Sequence, residues 1–463
     1  MKKTILSVMA VTIALISAIG CSDILSQGNV DLGLDSEIGG NGTEVFEYPT
    51  SYEFNHPCAL VSAEDINRVK SAMASASPLD PVYVSYQNFC NSQYAVDSYK
   101  ANPVSIIVRG DPTGTGVDGE NYGTIMRDAA AAYQLALRWK LSGEAKYADT
   151  AVSILNQWAN VCKKIDANDA NQYLCAGFQG YTLGNAAELL RDYPSWTNAD
   201  QDKFKAWLRN VWIVKNEKFI DDKGGDNDCP LHCWSNWELC NLASMLAIGI
   251  YLEDNALITK VYKNFREGAG SGAIGNMIPY DPIPDPDRHG MIAQSMESGR
   301  DQGHATLVVS MCAELCQMAW NIGVDFWGMD DNKILTMCQY TAKWNARPNG
   351  TFLCTSMPFT TYYYCQPGCG CKHQGHGAIH TAVANDNGRG TLRPGWDLVY
   401  SHYRHRKHLS ADDVYYVKLF ADQLRYTNGV LTGDGGSGDS RYGNNSGAFD
   451  QIGWGTMMYY RGE

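Results

Sequence analysis

The sequence predicts an all-α protein, an α/α toroid of helical hairpins whose long loops build a central cleft or tunnel. Three observations carry this expectation. Apolar residues recur at helical spacing in segment after segment. Strand-like runs are few and short, Val104 to Val108 being the clearest. The helices are joined by long Gly/Pro/Asn loops, such as Gly268 to Gly290 and Pro358 to His380. Such loops suit hairpins stacked round an axis better than a bundle with short connections.

The chain opens with Lys2 and Lys3 and an apolar run from Thr4 to Ile19. The run is too short to span a bilayer and reads as the core of a secretion signal. It ends Ser17-Ala18-Ile19-Gly20-Cys21, so residues 1–21 read as a lipoprotein signal with Cys21 lipidated. That predicts a bacterial periplasmic or outer-membrane protein, held to the membrane by its N-terminal acyl chains only. Residues 22–50 are rich in Gly, Ser and Asp and read as a flexible tether. Residues 51–463 are expected to form one catalytic domain.

Within that domain Ser62-Ala63-Glu64-Asp65 has the pattern of a helix start. Thr124 to Leu141 places Ile125, Ala129, Ala132 and Ala136 along one face, and Gly143 separates it from a second helix, Tyr147 to Val161. Leu183 to Asp192, Asp200 to Phe219, Trp237 to Glu253, Gly303 to Trp320 and Lys333 to Trp344 follow. Ser410 starts a last helix, Ala411 to Leu424.

Lys and Arg number 37 against 50 Asp and Glu, a net charge of −13. This excludes nucleic acid as a natural partner. An acidic polymer would need a locally positive cleft. Residues 372–408 offer Lys372, Arg389, Arg393, Arg404, Arg406 and Lys407 with six histidines, or else an ordinary solvated basic face. The chain has 15 cysteines. Without Cys21 the number is even, which in an exported protein favours disulfides, with Cys162, Cys175, Cys365, Cys369 and Cys371 as participants. No standard zinc spacing is present, and no metal or other cofactor is expected.

Glu297-Ser298-Gly299-Arg300-Asp301-Gln302-Gly303-His304 concentrates charge just ahead of an apolar helix. Residues 297, 300, 301 and 304 share one face at helical spacing, and such a stripe needs partners or a charged ligand. Glu297 and Asp301 could simply pair with Arg300. Asn236, in His232 to Cys240, reads as a helix cap or as an amide aimed at a carboxylate. Trp234 and Trp237 read as core or as sugar-stacking platforms. Tyr362, Tyr363 and Tyr364 precede His373-Gln374-Gly375-His376, and a tyrosine on a cross-linked loop could transfer a proton. Gln179, His376 and Arg393 are further candidates for substrate contact, although Phe178 to Tyr181 and Arg393 to Trp396 are equally read as turns.

Together ESGRDQGH at 297–304, SNWEL at 235–239, the helix-rich start at 122–160 and RPGWDLVYSHY at 393–403 resemble the alginate lyase-like superfamily. The closest resemblance is to polysaccharide lyase family 38, which is similar to the family 5 alginate lyases. It covers nearly all of the chain from about residue 55. It implies an α/α toroid and metal-independent cleavage of a uronate polymer, alginate first. Asn236 and Arg300 match the family 5 Asn and Arg. Trp237 stands where family 5 has His, and Leu307 where it has Tyr. Family 38 instead pairs the His of the GRDQGH segment with a later tyrosine, here His304 and one of Tyr362, Tyr363 and Tyr364, of which Tyr363 is taken.

β-Elimination removes the weakly acidic C5 proton of a uronate. Neutralising the adjacent carboxylate is therefore the first requirement, a task that suits Arg300 and Asn236, with Glu297 or Asp301 orienting the arginine. A base and an acid complete the set, His304 and Tyr363. An inverting glycoside hydrolase would instead need two carboxylates across a cleft, from among Asp226, Asp228, Glu297 and Asp301. A non-catalytic glycan-binding lipoprotein would bind without cutting.

Overall fold

The computed structural model describes residues 46–223, 229–363, 378–443 and 445–463. The first helix, α1 (Ala63–Ser75), starts at the expected box: Ser62 Oγ accepts from Asp65 N while the Asp65 carboxylate accepts from Ser62 N. In α2 (Pro81–Cys90) Asp80 caps a helix whose first residue is proline, which gives up no needed donor there. A parallel pair, β1 (Ile106–Val108) with β2 (Lys164–Asp166), brackets the hairpin of α3 (Gly123–Ser142) and α4 (Ala145–Val161). Next come α5 (Asn171–Leu190) and α6 (Asn198–Trp207), which passes through a π-helical stretch, Leu208–Ile213, into α7 (Val214–Asp222). After these lie α8 (Ser235–Leu252), α9 (Asn255–Glu267) and the short α10 (Ile274–Met277).

A hairpin of β3 (Ile283–Pro284) and β4 (Met291–Ile292) leads to α11 (Gln302–Asn321) and α12 (Met329–Asn345). A second hairpin, β5 (Tyr362–Tyr363) with β6 (Ile379–His380), precedes α13 (Trp396–Ser401) and α14 (Tyr415–Arg425). A third, β7 (Tyr426–Thr427) with β8 (Val430–Leu431), precedes α15 (Gly455–Tyr459).

Burial sorts these helices into layers. In α5, α8 and α11 nearly every residue is buried, so each is covered on all sides. By contrast α9 buries only Leu257, Ile258, Val261 and Phe265, one stripe, and faces solvent with the rest. Helix α3 packs on α4 and α5, α5 on α8, and α8 on α9 and α11. The layer continues from α11 through α13 and α15 to α1, which itself touches α3. This is the α/α toroid. Tyr48–Glu463 forms one compact unit, and among the described residues no helix is long and apolar enough to cross a membrane.

Several local expectations differ from what forms. Helix α5 begins at Asn171, twelve residues before the expected start at Leu183. Gly177, Gly180 and Gly184 gave that stretch the look of a loop. They are instead the contact face on α8: a Cβ at Gly177 or Gly180 would collide with Cys240 or Ser244, and one at Gly184 would lie 2.9 Å from the backbone of Ala247. The glycines let two helix backbones approach, and that gain outweighs their poor helix propensity of about 1 kcal/mol each. The Ser410 box forms, but residues 411–414 are turns and α14 starts only at Tyr415. The expected disulfide partners Cys162 and Cys175 are both buried free thiols. Burial pushes them up to about 11 and about 12 respectively. An even cysteine count says nothing about side-chain geometry, and buried cysteines in helices pack as small apolar groups. Cys21, Cys365, Cys369 and Cys371 lie outside the described residues.

Candidate active site

The charged segment ahead of α11 is a turn, not a helical face. Residues 296–300 bend back on themselves, with Ser298 N bonded to Ser295 O at 3.1 Å and Arg300 N to Glu297 O at 3.0 Å. Gly299 is required there, because a Cβ would lie 2.6 Å from Cβ of His380 and 3.0 Å from the Tyr362 hydroxyl. Asp301 is the N-cap of α11 and accepts from His304 N at 2.8 Å. Gln302 is buried as a brace, donating to Ser298 O at 3.1 Å and accepting from Asn345 at 2.7 Å.

This turn delivers Arg300 to the start of α8. Its Nη1 donates to Oδ1 of Asn236 at 3.4 Å and to Glu297 Oε2 at 3.3 Å, and its Nε lies 3.4 Å from Asp301 Oδ2. The guanidinium sits 4.7 Å over the ring of Trp234. Trp234 holds the N-cap position of α8, so Asn236 is not the cap; it is buried within the first turn. Since its Oδ1 faces Arg300, its amide N–H groups remain to donate elsewhere. Glu297 is fully buried, and burial raises its pKa against the pull of Arg300 and His304.

Asp301 also fixes His304, whose Nδ1 lies 2.7 Å from Oδ2. Burial works against the Asp301 charge, but the His304 hydrogen bonds and the attraction of His304 and Arg300 outweigh it and lower the pKa. An ionised Asp301 accepts a hydrogen bond from Nδ1–H and leaves Nε2 as the basic nitrogen, the arrangement of a general base. His304 is 38 % exposed, so that nitrogen is reachable.

A second charged group adjoins the first. Asp450 is buried, its pKa raised by burial and pulled down by Arg393, Arg109 and His304. Arg393 Nη1 donates to Gly447 O at 2.5 Å and lies 3.4 Å from Asp450 Oδ2. Arg109 at the end of β1 is buried against Tyr122 and Phe178 with no partner for Nη1. Buried atoms of Gln179, Glu297, Asp450, Gln451 and His380 likewise have no hydrogen-bond partner among the described residues. Polar atoms of this kind are available to a polar ligand.

Residues 53–277 match the alginate lyase family model. The chain is alginate lyase-like. By class it is a polysaccharide lyase. The match includes Asn236 and ends before Arg300 and His304. An apo form of alginate lyase A1-III superposes with a TM-score of 0.50 at 14 % identity, over 88 % of this chain and 96 % of that one. An alginate lyase from Bacteroides ovatus gives 0.45 at 15 % identity over 64 % of this chain and 85 % of its own. Alginate lyase A1-III from Sphingomonas species A1 gives 0.43 at 15 % over 62 % and 78 %. At these identities the likeness is one of fold, carried by the first structure. No curated protein matches the chain.

The alginate lyase-like fold gathers some expected residues and disperses others. Asn236, Arg300, Glu297 and His304 meet as described. Gln179 sits on α5 and not on a loop, for the reason its glycine neighbours give. Trp237 is turned away, its ring stacked 6.2 Å from Phe219 of α7, and Trp234 takes the place beside Arg300. Tyr362 is a strut: its hydroxyl donates to Met296 O and accepts from Gly299 N at 3.1 Å. Alternation along β5 sends Tyr363 to the opposite face, 52 % exposed, with no hydrogen bond to the Arg300–His304 group. Tyr364, His376, Asp226 and Asp228 lie outside the described residues. Sequence reasoning missed Arg109 and His380. A charged residue closing an apolar run before Gly110 was the available signal for the first, and six histidines in one segment hid the second. Burial lowers the pKa of His380, against a hydrogen bond to the Gly299 backbone and with Arg300 adding to the lowering.

Proposed function

We propose that this lyase cleaves a uronate-containing polysaccharide, alginate first among them, by metal-independent β-elimination, as a relative of polysaccharide lyase family 38. One observation supports this above the rest: Arg300 and Asn236 are bonded to each other directly beside the Asp301–His304 pair. The free N–H groups of Arg300 and Asn236 bind the substrate carboxylate and hold the charge that builds up as the C5 proton leaves. His304 Nε2 takes that proton. Protonation of the leaving glycosidic oxygen falls to a tyrosine of the 362–364 segment; of the two described, Tyr363 is the exposed one, and to act it must turn from the far face of β5 toward the site. Gln179, Arg393 and His376 contact flanking sugars. Lipid attachment at Cys21 would hold the enzyme at the periplasmic or outer membrane.

Mannuronate and guluronate differ at C5, so a base on one face of the ring serves one epimer. His304→Ala is therefore expected to lower the rate on one polymer at least tenfold more than on the other. The assay is ultraviolet absorbance of the unsaturated product from polymannuronate, polyguluronate and glucuronan, with chelator present. Equal losses on both epimers would sink the face assignment. New reducing ends without absorbance would replace elimination by hydrolysis, and binding without cleavage would leave a glycan-binding protein.

A further inference from the structure

Away from the active site, three different metal-ligating side chains converge where the N-terminal segment meets the far end of α5. His56 Nδ1 lies 2.5 Å from Glu188 Oε1, Cys58 Sγ 3.5 Å from His56 Nδ1, and Cys58 Sγ 3.8 Å from Glu188 Oε1. All the ligand atoms fall within 4.8 Å of one another. Glu188 is nine residues along α5 from Gln179, about 13 Å at 1.5 Å per residue. We propose that His56, Cys58 and Glu188 form a structural zinc-type site that fastens the segment before α1 to α5.

The geometry suits a tetrahedral ion of Cys, His and carboxylate ligands. Bond lengths of about 2.3 Å to sulfur and 2.0–2.1 Å to nitrogen or oxygen place ligand atoms about 3.3–3.6 Å apart. Both sulfur distances are already near that value. Only the His56–Glu188 contact must open, exchanging a hydrogen bond for two metal bonds. The surroundings are those of an oriented metal site. His56 Nε2 faces Glu253 Oε1 at 3.2 Å, so that ring nitrogen can carry the proton and Nδ1 the lone pair. Glu188 Oε2 is held by Arg191 at 3.1 Å, and Oε1 accepts from Cys58 N at 3.0 Å, so the carboxylate is fixed before any ion arrives. Cys58 and Glu188 are buried while His56 is 22 % exposed, which leaves one open side for a water as fourth ligand. Binding releases the Cys58 thiol proton and the proton shared by His56 and Glu188 to solvent, and leaves the thiolate on the metal.

The test is titration of the whole exported chain with Zn²⁺, and with Co²⁺ as a coloured substitute. One ion per chain is expected, with a near-ultraviolet thiolate-to-cobalt band. Cys58→Ser and His56→Ala should each abolish that band and weaken Zn²⁺ binding on the order of 100-fold or more. Chelator should lower the melting temperature of the parent chain and leave that of Cys58→Ser unchanged, which separates lost metal from lost packing. If the parent chain shows no thiolate band, or if the band survives in both variants, the proposal fails. In the first case His56 simply bridges Glu188 and Glu253 by hydrogen bonds; in the second the ion sits on other cysteines.

Discussion

Replacing Asp301 by Asn tests the core of the site with little change in shape. The Asn side chain still accepts from His304 N, since Asn and Asp are equally good N-caps. The lost attraction to Arg300, at 3.4 Å and partly exposed, is worth under about 1 kcal/mol. The fold should therefore survive almost unchanged. The chemistry should not. Once Oδ1 serves the cap, the Asn amide nitrogen faces His304 Nδ1, 2.7 Å away in the parent, and donates to it. The imidazole proton must then sit on Nε2, the nitrogen that should take the substrate proton. A base held in the wrong tautomer loses about 10³–10⁴ in rate. At 1.36 kcal/mol per decade that is about 4–5.5 kcal/mol. The assay is kcat from product absorbance on the preferred polymer, beside a thermal melt of the same sample. A folded variant that keeps kcat within tenfold of the parent would refute His304 as an Asp301-oriented base. The pH profile offers a second reading. Because the folded pKa of Asp301 is lowered, its contribution is complete above the ordinary value of about 3.9 and lost only as pH falls through the lower folded value. An acid limb seen at higher pH then does not belong to Asp301.

Other outcomes follow from the same structure. Glu314 of α11 is fully buried beside the Tyr181 hydroxyl, and burial pushes its pKa up to about 7. A raised carboxyl stabilises most below its unfolded pKa of about 4.3 and loses that advantage as pH rises through about 7, roughly 3 kcal/mol in all. Glu314→Gln should flatten this slope in urea unfolding between pH 5 and pH 8; an unchanged slope would show that another group titrates. The β5 tyrosines should separate cleanly. Tyr362→Phe leaves Met296 O and Gly299 N without their partner and should cost about 1–3 kcal/mol. Tyr363→Phe should leave the melting temperature within about 1 °C and, as the acid, lower kcat by 10² or more. Full activity in Tyr363→Phe would move the role to a neighbouring residue.

Helix periodicity read from sequence located α3, α4, α8 and α11 closely, because a long helix-compatible, apolar-rich run is a local property of the chain. It failed at the start of α5 for an equally physical reason. Gly177, Gly180 and Gly184 are locally poor for a helix, and only contact with α8 shows why they are there. The same division runs through the site. Charge density in residues 297–304 marked Arg300 and His304 as chemical, and the Asn at 236 was visible beside its tryptophans. Which carboxylate serves which cation was not legible. Asp301 reads as an arginine partner, which it is at 3.4 Å, but the bend at 296–300 also makes it the cap of α11 and turns it onto His304. Nor could spacing decide between neighbours of one type. Trp234 and Trp237 were interchangeable until the helix start put one beside Arg300 and the other against Phe219. Tyr362 and Tyr363 were interchangeable until strand alternation buried one and exposed the other.

The sequence by itself determined the helical architecture and the kinds of group gathered at the candidate site, since both are written in short-range pattern and residue type. The tertiary structure alone decided how the site is wired. Asn236 and Arg300 are 64 residues apart, and their hydrogen bond exists only because α8 and α11 pack side by side. Distances of that kind are set by burial across the whole toroid, which no local stretch of sequence records.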